Sequence, residues 1–148
     1  MLEDRLNEDM KAALKGGDHD RLSTLRMLRS QILLEKKKDV SITTLPDPDV
    51  IRAFQAYAKK LKDAVAEYQK LGKADDVAKL QGELKTVQAY LPAAMTEAES
   101  RELVRAVVGE LNASSIKDLG RVMKEVQARA QGRADGKLLS ELVRASLT

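Results

Sequence analysis

Runs of apolar residues spaced three and four apart follow one another along almost the whole chain, and each run is cut by glycine, proline or a short polar break. That spacing is the mark of amphipathic helices and leaves little room for strands. Leu2, Leu6, Met10, Ala13 and Leu14 form a first stripe, stopped by Gly16-Gly17. Asp18 or Asp20 is placed to cap a second helix, whose stripe is Leu22, Leu25, Leu28 and Ile32, thickened by Met27 and Leu33. It runs out in Lys36-Lys37-Lys38, where cations suit the negative end of the helix dipole. Residues 39–46 are irregular: Val40-Ser41-Ile42-Thr43 alternates like a strand but has no run to pair with.

Asp47-Pro48 restarts the helical pattern, with Asp47 as N-cap and Pro48 at the first helical position. Val50, Ile51, Phe54, Tyr57, Ala58, Leu61, Val65, Tyr68 and Leu71 continue it as far as Gly72. Val77, Leu80, Leu84, Val87 and Leu91 give a fourth stripe, stopped by Pro92. Thr96 and Glu99 form a capping box ahead of Leu103, Val104, Val107, Val108 and Leu111. A sixth helix runs from Ser115 to Gly132, and a seventh carries Leu138, Leu139, Leu142, Val143 and Leu147. The predicted fold is all-α, with a four-helix N-terminal lobe over residues 1–92 and a three-helix C-terminal lobe over residues 93–148. Pro92-Ala93-Ala94-Met95 serves as the linker. Each lobe is needed to cover stripes that no single helix can bury alone.

The chain has 148 residues, one histidine and no cysteine. Disulfides and thiolate metal sites are therefore excluded, and a metal could be held only by oxygen. His19 reads as a solvated turn residue. Asp47/Asp49 and Asp75/Asp76 sit where helices start, so they read as acids favouring the dipole rather than ligands. No phosphate-binding loop, dinucleotide fingerprint or nucleophile elbow is present. The reading is of no catalytic residue, no cofactor and no metal. There is no signal peptide and no apolar run of membrane-spanning length, which points to the cytoplasm and away from a membrane. Net charge is +3. Residues 1–92 hold 17 basic against 15 acidic side chains and residues 93–148 hold 9 against 8, so a polyanion must be met by local placement of charge.

That placement is sharpest between Ser114 and Leu139, SSIKDLGRVMKEVQARAQGRADGKLL. Ser115 and Asp118 read as a helix start. Ile116, Leu119, Val122, Met123, Val126 and Ala130 form the stripe, and Gly132 takes the left-handed turn that ends it. Asp135 is placed to cap the next helix. Lys117, Arg121 and Lys124 fall in one row, Arg129 lies near the turn, and Arg133 and Lys137 flank its glycines. Six cations stand against three acids here, although Glu125 is spaced to pair with Arg121 and Arg129. In the N-terminal lobe, Arg21, Arg26, Arg29, Lys36-Lys37-Lys38, Lys59, Lys60 and Lys62 read as solvated faces.

SSIKDLGRVMK and GRADGKLLSELV resemble the YqeY-like family, whose C-terminal module also recurs as the tail of GatB, the B subunit of tRNA-dependent amidotransferase. EDMKAALKGGDHDRLSTLRMLRS and AYLPAAMTEAE are similar to that family too, so the likeness covers essentially the whole chain. QGEL at 81–84 and KKLKDAV at 59–65 depart from the family pattern. The resemblance implies the same two-lobe helical fold. It also implies tRNA as a partner, met by Lys117, Arg121, Lys124, Arg129, Arg133 and Lys137, with proteins of an aminoacylation or amidotransferase complex as further partners. The four aromatics, Phe54, Tyr57, Tyr68 and Tyr90, all precede Pro92 and fall on or near core stripes. A C-terminal lobe without rings would grip folded RNA by phosphate, sugar and shape rather than by stacking. The rival readings are a protein–protein adaptor that binds no nucleic acid, and an amidotransferase-related carbon–nitrogen ligase using glutamine as amido donor.

Overall fold

The computed structural model describes residues 1–148. It contains seven α-helices and no strand, and it divides into two compact units, Met1–Leu91 and Pro92–Thr148. The first unit holds α1 (Leu2–Gly16), α2 (His19–Lys36), α3 (Asp47–Lys70) and α4 (Ala74–Gln88). Its core joins Leu6 of α1, Leu22, Leu25, Leu28 and Ile32 of α2, Val50, Phe54 and Leu61 of α3, and Val87 of α4. Tyr90 closes that core: its ring meets the Phe54 ring edge-on at 5.9 Å, and the Arg5 guanidinium lies over it at 4.6 Å. The Tyr90 hydroxyl donates to Asp9, and burial together with that carboxylate pushes the phenol well above its usual range.

Helix ends follow local chemistry, with some reassignments. The Asp18 carboxylate caps α2 by accepting from the Arg21 N–H at 3.2 Å. Asp47 is the first residue of α3 rather than its cap; Pro46 takes that place. The Asp47 carboxylate is used elsewhere, accepting the Leu2 N–H at 3.0 Å, one of the donors that the start of α1 leaves without an intrahelical partner. Residues 39–46 form turns, not a strand, and Asp39 accepts from the Ser41 N–H and hydroxyl. Within this segment Leu45 is buried, while Val40 is fully displayed to solvent.

The thickening of the α2 stripe by Met27 and Leu33 does not occur. Both side chains are exposed, as is Leu34, because the core is built on the Leu22-Leu25-Leu28-Ile32 side of α2; Leu14 and Leu71, read as the last members of the α1 and α3 stripes, are exposed as well, at the ends of those helices.

The second unit holds α5 (Glu97–Glu110), a 3-10 turn at Ile116–Asp118, α6 (Leu119–Ala130) and α7 (Gly136–Leu147). Val104, Val107, Val122, Val126, Ala130, Leu139 and Val143 pack into its core. The Thr96–Glu99 capping box is complete: the Thr96 hydroxyl accepts from the Glu99 N–H and the Glu99 carboxylate accepts from the Thr96 N–H, both at 3.1 Å. Ile116 is exposed rather than part of the α6 stripe, since the chain has not yet entered the α-helix there. At the other end of α6 the left-handed turn begins one residue early, with Gln131 at φ 50° and Gly132 at φ 75°. The Asp135 carboxylate accepts from the Lys137 N–H at 3.2 Å and caps α7.

Candidate nucleic-acid interface

The core face of α6 is Leu119, Val122, Met123, Val126 and Ala130, so the residues between them point away from the unit's interior. Lys117, Gly120, Arg121, Lys124, Gln127 and Ala128 are all exposed there. They form one strip with three cations, of which Arg121 is met by the adjoining Asp118 carboxylate, and the neutral side chains between the charges are small or polar. From Lys117 to Ala128 the strip extends roughly 15 Å along the chain at helical rise.

The six cations nominated by the sequence do not share one environment. Lys117, Lys124 and Lys137 are exposed and make no ion pair. Arg121 stands on the strip, but its guanidinium donates to the Leu111 carbonyl at 3.0 Å and to Asp118 at 3.2 Å. Its spacing partner Glu125 is taken by Arg129 instead, at 2.9 Å. Arg129 also donates to Glu110 on α5, so two carboxylates balance its charge and it links α5 to α6. The same contact holds the Glu110 carboxyl below its ordinary range. Arg133 donates through Nε to the Ala93 carbonyl at 2.7 Å, while its own carbonyl accepts the Met95 N–H at 2.8 Å. It therefore pins the α6–α7 turn to the segment that leads into α5.

The start of the strip is fixed by Asp118, not by Ser115. Ser115 makes no capping hydrogen bond through its side chain. The Asp118 carboxylate reaches back to accept the Ser114 N–H at 3.1 Å, and this bond is the main reason its carboxyl lies below the usual aspartate range. Asp118 thus holds the 3-10 turn that carries Lys117 and also touches Arg121. Sequence reasoning missed Gly120, Gln127 and Ala128 as parts of the surface. They could have been found by asking which positions share the cations' face.

The rest of the molecule offers no denser chemistry. No group of three or more His, Cys, Asp or Glu side chains converges on a point that could hold a metal ion. A shallow cleft between α2 and α4 is lined by Asp18, Arg21, Thr24, Lys79, Glu83 and Thr86, with charges of both signs. Its threonine hydroxyls are spent on their own helices, Thr24 donating to the Asp20 carbonyl and Thr86 to the Gly82 carbonyl. His19 is exposed on the first turn of α2. No helix is long and apolar enough to cross a membrane.

Fold and surface together define a class: an all-helical protein of two small units, the second of which presents a cationic helix face. Residues 3–147 match the model of the family described as Yqey-like protein, and the chain belongs to that family. It is 29% identical over 132 residues to a protein of Pyrenophora tritici-repentis named Altered inheritance of mitochondria protein 41, mitochondrial; the match takes in 88% of this chain and 71% of that one. It is 30% identical over 80 residues to an uncharacterised protein of Schizosaccharomyces pombe, covering 54% of this chain and 63% of that protein.

Proposed function

We propose that this protein is a non-catalytic accessory protein whose second unit contacts folded tRNA through the outward face of α6 and of the turn before it, with Lys117, Arg121 and Lys124 as the central contacts. The observation that carries the reading is the exposed strip on which Lys117 and Lys124 stand free of any ion pair, with Arg121 between them held by Asp118 and the Leu111 carbonyl. Lys117 on the turn and Lys124 on α6 lose little when they meet phosphate, because neither has an ion pair to break. With no aromatic residue in the second unit, the grip is on phosphate and shape rather than on base identity.

Arg129 and Arg133 belong to the scaffold of this surface in the proposed reading. Their guanidinium groups orient α5, α6 and the turn rather than reach the RNA. Filter binding of total tRNA at several salt concentrations tests the proposal. Three phosphate contacts give a log–log slope of about −3 on a duplex-like surface. Replacing Lys117 and Lys124 by glutamate should abolish binding without lowering the melting temperature. Binding that is unchanged in that double variant would remove α6 from consideration.

A further inference from the structure

A second exposed strip lies on α2, in the other unit. The core side of that helix is Leu22, Leu25, Leu28 and Ile32. On its far side Ser23, Met27, Ser30, Leu34 and Lys37 succeed one another at intervals of four, three, four and three, and every one is exposed. That is the spacing of a coiled-coil seam, with two large apolar side chains alternating with two serines. Met27 is 45% and Leu34 52% exposed, an unusual pair to leave in water on one helix face. Arg26, Arg29 and exposed Leu33 flank the seam on one side. Arg26, Arg29 and Lys37 make no ion pair; from Ser23 to Lys37 no carboxylate interrupts the strip, since Glu35 turns aside to Lys38, and the exposed Asp20 marks its N-terminal end.

We infer that this strip of α2 docks a helix of another protein, amphipathic in pattern and acidic along its flanks. Met27 and Leu34, seven residues apart, supply apolar knobs at every other seam position, and the small serines between them leave space for a facing helix's apolar side chains. The charge decides the partner's sign: three unpaired cations demand an acidic flank. A second copy of this chain is disfavoured, because the seam would set cations against cations. A lipid surface has no use for serines spaced between the apolar side chains. A polyanion such as RNA gains nothing from three exposed apolar groups.

The test uses the whole protein and a fluorescent designed helix of about three heptads, with leucine in its seam and glutamate on both flanks. Glutamate on both flanks also keeps the probe from pairing with itself. A twin probe carries lysine on its flanks. The glutamate probe should bind at least about tenfold more tightly than the lysine probe. The double variant Met27→Ser, Leu34→Ser should weaken it by about tenfold with only a small fall in melting temperature, as about half of each side chain already meets water. The double variant Arg26→Glu, Arg29→Glu should reverse the preference towards the lysine probe. Equal binding of the two probes, or indifference to the seam variants, overturns the inference. So does uptake of phosphatidylglycerol vesicles or tRNA that depends on Arg26 and Arg29 while the peptide does not bind. None of these outcomes touches the α6 reading, which rests on other residues in the other unit.

Discussion

Lys124 and Arg129 sit five residues apart on α6, yet Lys124 makes no ion pair and Arg129 is held between Glu110 and Glu125. Arg129→Ala should therefore lower the melting temperature of the second unit and leave the salt-dependent affinity for tRNA nearly unchanged. Lys124→Ala should do the reverse. The pair is checked by thermal unfolding and filter binding on the same samples. Equal effects of the two changes on affinity would mean that Arg129 reaches the ligand despite its carboxylates. In the first unit, Tyr90 is 3% exposed and its hydroxyl donates to Asp9. Tyr90→Phe keeps the ring against Phe54 but removes the donor, and should cost about 1 kcal/mol in denaturant unfolding. A change smaller than a few tenths would show that water replaces the phenol at Asp9.

At the scale of elements, α5 depends on its N-terminal box, whereas α6 carries a glycine that the fold does not require. Thr96→Ala removes one half of the box and should cost about 1 kcal/mol, read from the denaturant midpoint of the second unit. Gly120 is the second residue of α6, and a Cβ placed on it meets nothing within 4 Å. Gly120→Ala should stabilise α6 by up to about 0.5 kcal/mol, because alanine gives up less backbone entropy in a helix. If phosphate comes down on the strip, the added methyl should lower tRNA affinity at the same time. Stabilisation with affinity unchanged would place Gly120 outside the contact. The helices themselves were legible because their stripes are long and their stops are glycine, proline and capping residues. On α2 the spacing named the core stripe, Leu22-Leu25-Leu28-Ile32, but not its width, since Met27 and Leu33 beside it stay half in water. Nor could it assign partners from distant positions. Leu2 takes the Asp47 carboxylate, Ala93 takes the Arg133 guanidinium, and Leu111 takes Arg121, so the row of cations was visible in the sequence but its division into bare and engaged members was not.

For the whole molecule, the alkaline end of the pH scale is what separates the two units: each has lowered carboxyls, Asp39 in the first and Asp118 and Glu110 in the second, but only the first has raised phenols. Tyr90 and Tyr57 lie in the first unit, and burial raises the value of both above the usual 10.0. A raised value means that the folded state favours the protonated phenol. The stability this confers is complete below pH 10 and is lost as pH rises through the raised values. The second unit contains no tyrosine, so it has no such loss. Its perturbed carboxyls are Asp118 and Glu110, lowered from 3.8 and 4.5 by the Ser114 N–H and by Arg129 respectively. There the sign is opposite: the contribution is complete above those ordinary values and disappears as pH falls below them. Both carboxyls are exposed, so the acid effect should be small and reduced by salt. Methyl NMR of the full chain separates the units, with Leu25 and Val50 reporting the first core and Val122 and Val143 the second. Heating at pH 8 and again above pH 10 should lower the unfolding temperature of the first set of methyls by more than that of the second. Tyr90→Phe should shrink the difference, because the phenylalanine ring has no proton to lose. Two sets of methyls that melt together and shift equally at high pH would mean that the separate cores behave as one cooperative unit, and that the phenol's burial is not what distinguishes them.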